Sequence, residues 1–213
     1  KLRGDEIERW QENEHDVESS APIEGTMVVS IDATKLREKL GEQHLSDGNK
    51  RYEIGFKDVK VGVVSALAWD ESREEAACVE SSYVGAVEYA DAFFERLAVE
   101  MQRRRGRSDP ERLVFLGDGA EWIWDRVAQL TDENSVEILD FYHASEHLSE
   151  ISKALYGEYT PSYWQHYRRW RELLSQGRAA DIIETLKQLQ RSTTEETLVR
   201  MLLREIAYFE KNR

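Results

Sequence analysis

The chain has 213 residues, 40% of them hydrophobic and 10% aromatic, so it is long and apolar enough to fold around one good-sized core. Its 42 acidic and 29 basic residues give a formal net charge of −13, which argues against nucleic-acid binding over the whole surface. The single cysteine excludes an internal disulfide framework, and no apolar run approaches the roughly 20 residues that span a membrane, so we expect a cytoplasmic protein with no membrane partner.

An acidic segment precedes the first predicted strand. Residues 1–25 contain eight acidic residues against three basic ones, a composition typical of a solvated arm. Three strands are then predicted, over residues 27–32, 59–67 and 76–83. The polar residues 41–50, with Asp47-Gly48 as a turn signal, are predicted to form the loop between the first two strands.

Strands and helices alternate in the middle of the chain. Phe93, Leu97 and Met101 recur at helical spacing, and the run from Arg103 to Arg105, with Pro110 beyond it, ends that helix. The predicted elements that follow are a buried strand over 113–116, a helix over 123–130, a strand over 136–140, a helix over 147–155 and helices throughout from 161 onward.

This order of elements predicts an α/β fold with a mixed five-stranded sheet and flanking helices. Three successive strands indicate an antiparallel meander, and strands that alternate with helices indicate parallel additions with crossover helices. A mixed five-stranded sheet of that order is the one that ribonuclease H-like domains use. We therefore predict an acidic arm over 1–25, a ribonuclease H-like core over 26–157 and an all-helical insertion, incomplete at its end, over 158–213.

Two aspartates follow predicted strands. Asp32 ends the first strand, and Asp118 follows the strand over 113–116 and opens directly into a helical pattern. Carboxylates presented at one edge of a sheet can hold Mg²⁺, which prefers oxygen ligands and bridges to substrate phosphates. The pair therefore suggests phosphoryl-transfer chemistry, although an aspartate in such a position is also a common turn former or helix cap.

Several segments of the chain carry a resemblance to a known family, among them Ser82-Tyr-Val, Ala154-Leu-Tyr-Gly and Tyr208-Phe-Glu-Lys-Asn212 as well as four longer ones. The four longer ones are Val28-Val-Ser-Ile-Asp32-Ala-Thr-Lys, Val59-Lys-Val-Gly-Val-Val, Leu116-Gly-Asp118-Gly-Ala-Glu-Trp-Ile-Trp and Ile138-Leu-Asp140-Phe-Tyr-His143. In combination they resemble DDE transposases of bacterial insertion sequences, in particular the Kra-type group, which is related to the Mutator-like transposases. The resemblance runs from about residue 26 to the last residue of the sequence.

The resemblance implies a catalytic core that cleaves DNA strands and transfers them with two Mg²⁺ or Mn²⁺ ions. Asp32 matches the first catalytic acid of the family and Asp118 the second, and both would be metal ligands. The segment from Asp140 to His143 matches the family's signature of an aspartate, two residues and a histidine, which makes His143 a catalytic candidate. The implied partners are transposon ends and target DNA, with a homo-oligomer assembled on the DNA in the bacterial nucleoid.

The third acid of the family is a glutamate that lies beyond a helical insertion, and no residue of this chain matches its motif. We therefore expect the chain to be truncated before that acid, with Asp140 and Glu146 as possible accessory ligands. An inactive derivative that acts as a binding or oligomerisation module is the alternative function. A different ribonuclease H-like nuclease, completed by Glu146 or Asp140, is a third.

Several of these residues have simpler structural explanations. His143 can hydrogen-bond Asp140 and fix the turn between strand and helix, and Glu146 can be an exposed helix acid. Basic residues in two runs could contact DNA phosphates: Arg103, Arg104, Arg105, Arg168 and Arg169. The first run also suits a solvated helix end.

Aromatic residues accompany the second basic run. Trp164, Tyr167 and Trp170 recur at helical spacing, which favours packing between helices over a grip on a DNA strand. Cys78 is expected to be a small buried residue.

Overall fold

The structure, a computed structural model, describes residues 22, 23, 25–44, 49–105 and 109–212. Most of the predicted acidic arm and the predicted turn at Asp47-Gly48 lie outside these residues. The chain divides into two compact units between Ile138 and Leu139.

The first unit is built on a five-stranded sheet. The strands are β1 (Thr26–His44), β2 (Lys50–Asp70), β3 (Glu75–Ala86), β4 (Arg112–Gly117) and β5 (Ser135–Leu139). Their order across the sheet is β3-β2-β1-β4-β5. The pairs β1–β2 and β2–β3 are antiparallel, whereas β1 and β4 are parallel. The predicted α/β fold with a mixed five-stranded sheet is therefore confirmed.

Two helices of this unit connect the later strands. Helix α1 (Ala90–Arg104) links β3 to β4, and α2 (Glu121–Val127) follows β4. A long crossover of this kind is what a parallel neighbour to β1 requires, because a tight turn can join only antiparallel strands.

The core of the first unit lies between α1 and one face of the sheet. Alternate residues of β1 (Met27, Val29 and Ile31) are buried on that face, as are Leu113 and Phe115 of β4. Full burial of each such side chain contributes about 1.5–3 kcal/mol. The alternation fixes the register, because a slip of one residue would turn the apolar set of β1 to the opposite face.

A glycine allows α1 to approach the sheet closely. A Cβ atom at Gly62 of β2 would lie 2.8 Å from Cδ1 of Leu97, a contact that real Cβ atoms do not make. The absence of a side chain at this position lets Leu97 and Phe93 of α1 rest directly on β2.

The first two strands are much longer than predicted. β1 continues to His44 and β2 begins at Lys50, so the prediction of a loop over 41–50 was wrong for residues 41–44 and for Lys50. Among the residues that the structure describes, β1 beyond residue 32 and β2 before residue 60 pair only with each other. We call residues 33–44 and 50–59 the ribbon. The sequence prediction did not extend the strands into the ribbon, although Tyr52, Ile54 and Phe56 alternate along β2, because the side chains of the ribbon are mostly exposed.

Cys78 is exposed, so the expectation of a buried cysteine was wrong. It lies opposite Leu67 near the outer end of the β2–β3 pair, where Leu67 is also 40% exposed. The burial pattern changes along β3, since Ser82 and Val84 are buried close to the core. Distance from the core along the strand, rather than residue type, therefore sets the exposure of this cysteine.

Within the described residues the second unit is helical after the end of β5. Its helices are α3 (Phe141–Tyr156), α4 (Pro161–Ser175), α5 (Ala179–Ser192) and α6 (Glu196–Lys211). Asp140 and Thr160 cap α3 and α4 through their side chains, and Pro161 occupies the first turn of α4. The sequence analysis placed the limit of the core domain at residue 157, whereas the division into units assigns α3 to this helical part.

The core of the second unit comes from the apolar faces of its helices. Leu148 of α3, Leu186 of α5, and Leu202 and Phe209 of α6 are buried together with Trp170 of α4. None of the helices in the described part of the chain is long and apolar enough to cross a membrane.

Candidate active site

Asp32 and Asp118 lie next to each other in the order of the sheet. The parallel pairing of β1 with β4 ends with Ile31 opposite Gly117; Asp32 is the next residue of β1, and Asp118 is the first residue after β4. Neighbouring strands are about 4.8 Å apart, and no strand lies between these two. The register therefore brings both residues to the same edge of the β1–β4 pair.

The two aspartates also share a face of the sheet. Ile31 and Gly117 are buried on the side of the core. Because side chains alternate between faces, Asp32 belongs to the opposite face, away from α1, and the same alternation continued one residue past the end of β4 gives Asp118 that face. Asp32 is exposed and Asp118 is half-buried, so solvent and a substrate can reach the carboxylates.

The position of Asp32 differs in one respect from the prediction. Asp32 does not end β1, which continues along β2 to His44; it stands where the pairing with β4 stops. One carboxylate oxygen of Asp32 accepts a hydrogen bond from the backbone N–H of Ala33 at 2.6 Å. Strand pairing of Asp32 with Val61 of β2 holds its backbone from the other side.

Asp118 fixes the turn from β4 into α2. Its Oδ1 accepts a hydrogen bond from the N–H of Ala120 at 2.9 Å, across Gly119, whose φ of 92° suits glycine. Asp118 therefore performs the turn-forming role given as its alternative explanation. This does not exclude a metal role, because an ionised carboxylate has acceptor capacity for several partners.

The donor chemistry of the pair fits a hard divalent cation. Mg²⁺ is commonly held by one or two carboxylates, with waters and substrate phosphates as the remaining ligands. In the described parts of the chain, no three side chains of His, Cys, Asp or Glu come together as a metal-binding group. Asp32 and Asp118 would hold the ion, which would stabilise the negative charge that gathers on phosphorus during phosphoryl transfer.

Asp140, His143 and Glu146 belong to the second unit. Asp140 is the N-cap of α3, and its Oδ1 accepts hydrogen bonds from the N–H groups of Tyr142 at 2.7 Å and His143 at 3.0 Å. Asp140 and His143 thus interact through the backbone of His143. Nδ1 of His143 lies 4.0 Å from a carboxylate oxygen of Glu146, which is exposed.

The second unit contains a buried carboxylate that no sequence pattern indicated. Glu205 of α6 is 1% exposed, and its Oε2 lies 2.6 Å from Nδ1 of His147 on α3. Its other oxygen accepts two hydrogen bonds from the guanidinium of Arg204. The ring of His147 stacks on that of Tyr208 with centroids 3.8 Å apart. Glu205 and His147 are 58 residues apart, so no local pattern could have linked them.

Glu205 makes the stability of the second unit depend on pH. Burial raises the pKa of this carboxyl, but hydrogen bonds from His147 and Arg204 outweigh burial and lower the pKa below its usual value. A lowered pKa contributes stability above the unfolded pKa of about 4.3, and this is lost as pH falls through the folded pKa. We expect Glu205→Gln to flatten the decline in the free energy of unfolding on acidification. Urea unfolding followed by circular dichroism at a series of pH values measures this, and parallel curves for wild type and variant would contradict it.

The first basic run is largely occupied by contacts within the protein. Arg103 forms a bidentate ion pair with buried Glu100. Arg104 is fully buried and donates to Oγ of Ser82 at 3.1 Å, which leaves its guanidinium inaccessible to a phosphate at the surface. Arg105 is partly exposed and ion-paired.

The second basic run is more open. Arg168 and Arg169 of α4 are exposed, and the guanidinium of Arg168 lies over the ring of Trp164 with 5.7 Å to its centroid. Trp164 is 40% exposed, whereas Trp170 is 3% exposed. Trp170 therefore packs in the core, whereas Trp164 packs nearer the surface, with its ring centroid 4.9 Å from that of Tyr163.

A groove lies on the other face of the sheet from the two aspartates. It has a volume of about 900 Å³ and is lined by Phe56, Asp58 and Lys60 of β2 together with the N-terminal part of α1. These β2 positions alternate with Val61, the partner of Asp32. The groove is thus separate from the carboxylate pair.

Comparison with known proteins gives no assignment. No family model matches the chain, no curated protein resembles it significantly, and no solved structure does so either.

Proposed function

We propose that the chain carries the catalytic core of a bacterial insertion-sequence transposase of the DDE class, which cleaves and joins DNA strands with Mg²⁺ or Mn²⁺. The observation that carries the proposal is the parallel register of β1 with β4. It ends with Ile31 opposite Gly117, and Asp32 and Asp118 are the residues that directly follow this pair in the chain.

The sheet supports a ribonuclease H-like assignment. Its order β3-β2-β1-β4-β5, with an antiparallel meander followed by a parallel β4, is compatible with that fold. The resemblance of the segments around Asp32, Asp118 and Asp140 to DDE transposases points in the same direction. In this proposal the protein acts on DNA as a homo-oligomer in the bacterial nucleoid.

The chemistry assigns separate tasks to the residues of the first unit. Asp32 and Asp118 would hold the metal beside the scissile phosphate, Asp32 from β1 and Asp118 from the turn that follows β4. Water is the nucleophile for nicking, and a DNA 3′-hydroxyl is the nucleophile for strand transfer.

A nicking assay tests the proposal. The full chain is incubated with supercoiled plasmid in Mg²⁺, in Mn²⁺ and in EDTA, and conversion to the open-circular form is followed on gels. We expect conversion in either metal and none in EDTA. DNA that is bound but not cut in both metals would contradict the proposal and favour the inactive binding module.

That second candidate has one observation in its favour. Among the residues that the structure describes, no third metal-ligating side chain joins Asp32 and Asp118. The nicking assay therefore tests whether the two carboxylates suffice for metal-dependent cleavage.

A further inference from the structure

The ribbon formed by the ends of β1 and β2 is a two-stranded extension of the first unit. Each of its strands pairs only with the other, because β4 stops opposite Ile31 and β3 pairs with β2 from Lys60 onward. The twelve residues 33–44 span about 40 Å at the usual rise of a strand. An isolated hairpin is only marginally stable in water, so a ribbon of this length needs additional stabilising contacts.

Cross-strand contacts hold the ribbon together. Lys57 and Glu38 form an ion pair at 2.8 Å, and Lys50 and Glu42 form another at 2.6 Å. The strands stay in register over the whole ribbon except for one irregularity, between Lys39 and Gly41.

One face of the ribbon combines a basic row with an apolar, mainly aromatic row. The register puts Arg37 opposite Phe56 and Lys39 opposite Ile54, so these residues lie on the same face. By alternation the same face carries Lys35, Arg37 and Lys39 along β1 and Tyr52, Ile54 and Phe56 along β2. We call these six residues the basic–aromatic face.

The basic–aromatic face is exposed and its cations are available. Arg37 and Lys35 are exposed and form no ion pair with any residue that the structure describes. Nζ of Lys39 lies 3.8 Å from the centroid of the Tyr52 ring, which keeps its charge at the surface. Phe56 is 66% exposed, far more than an aromatic side chain with a packing role.

The charge of this face is opposite to that of the protein. The chain as a whole carries −13, yet three cations stand in one row here, with Asp58 as the acid opposite Lys35. A polyanion is therefore attracted to the ribbon and repelled by most of the remaining surface. This reconciles an acidic protein with a nucleic-acid partner, because the contact is confined to one element.

We infer that the ribbon binds duplex DNA through its basic–aromatic face. A two-stranded ribbon fits the major groove of B-DNA, which is about 12 Å wide. The row of cations on β1 contacts phosphates, and the apolar row on β2 contacts the thymine methyl groups at the base edges. The inference rests on the proposed function for the identity of the nucleic acid, and it names the element that holds the DNA.

The test measures DNA binding without cleavage. Anisotropy of a labelled duplex of about 30 base pairs, roughly three helical turns, is titrated in EDTA at KCl concentrations from about 50 to 200 mM. We expect the double variant Arg37→Gln/Lys39→Gln to bind roughly tenfold more weakly and to reduce the salt slope of log K by about 2, since two phosphate contacts are lost.

A matched variant controls for net charge. Arg191→Gln/Arg200→Gln removes the same two charges from exposed, ion-paired positions of the second unit, and we expect its affinity and salt slope to equal those of the wild type. Circular dichroism of both variants checks that the fold is kept. We expect no change, because all four side chains are exposed.

Three results would overturn the inference. They are an unchanged salt slope in Arg37→Gln/Lys39→Gln, no duplex binding by the wild type even at about 50 mM KCl, and a ribbon variant that alters only the sedimentation mass. The last would make the ribbon a contact between copies of the chain. Loss of binding in the ribbon variant without metal-dependent nicking by the wild type would support the ribbon while refuting the proposed nuclease. Metal-dependent nicking by the wild type, together with unchanged DNA binding by the ribbon variant, would refute the ribbon as the DNA-binding element and support the proposed nuclease.

Discussion

Asp32→Asn and Asp118→Asn are each expected to lower the rate of metal-dependent DNA nicking by at least about 10³-fold. Such a loss corresponds to about 4 kcal/mol of transition-state stabilisation, a reasonable share of what a metal site supplies to phosphoryl transfer. Asparagine keeps an oxygen that can accept the hydrogen bonds from Ala33 and Ala120, so the turns next to both residues should survive. The effect is measured as the initial rate of plasmid nicking in Mg²⁺.

Stability and a neutral substitution provide the controls for this prediction. We expect both variants to unfold at the same urea concentration as the wild type or a higher one, since repulsion between neighbouring carboxylates is relieved. Asp125→Asn, which changes an exposed carboxylate of α2, should leave the nicking rate unchanged. Nicking by the Asp32 or Asp118 variant at the wild-type rate would rule out the carboxylate pair as the site.

His147→Ala is expected to destabilise the second unit by about 1–3 kcal/mol, the usual cost of leaving a buried polar group without one of its hydrogen-bond partners. The substitution leaves the nearly fully buried carboxylate of Glu205 without its 2.6 Å contact and removes the ring that stacks on Tyr208. The free energy of unfolding is measured by urea denaturation at neutral pH.

His166→Ala is the matched comparison for His147→Ala. His166 also stacks on a tyrosine, Tyr156, with centroids 3.9 Å apart, but its Nδ1 contacts the backbone carbonyl of Ser162 instead of a buried carboxylate. We expect a loss of about 1 kcal/mol, typical of one hydrogen bond. Equal losses in the two variants would mean that Glu205 adds nothing beyond ring packing.

Sequence patterns predicted the sheet where one face is buried. The apolar residues Val29, Ile31 and Phe115 mark β1 and β4 because burial demands a particular side chain at every second position. The ribbon is exposed and has no such requirement, so its polar residues resembled those of a loop. Cross-strand ion pairs such as Lys57–Glu38 nevertheless stabilise it as two paired strands. Pairing of exposed strands depends on the partner strand, which a local window does not contain.

The candidate site could be predicted only in part, because apolar runs are visible in a local window but strand pairing is not. Asp32 and Asp118 could be located from the apolar runs that precede them, although only Asp118 follows a strand end, and their adjacency depends on the parallel pairing of β1 with β4. The contact of Glu205 with His147 depends on the packing of α6 against α3, and no residue near either one signals it. The burial of Arg104 could not be predicted from the sequence either, because an arginine at a helix end normally faces solvent.

Metal binding by the two aspartates is the central claim, and a Mn²⁺ titration tests it most directly. Free Mn²⁺ is followed by electron paramagnetic resonance as the full chain is added, with the double variant Asp32→Asn/Asp118→Asn measured in parallel. We expect saturable binding by the wild type that the double variant loses. Equal binding of Mn²⁺ by the two proteins would contradict the account, since no other carboxylates are assigned to hold the ion.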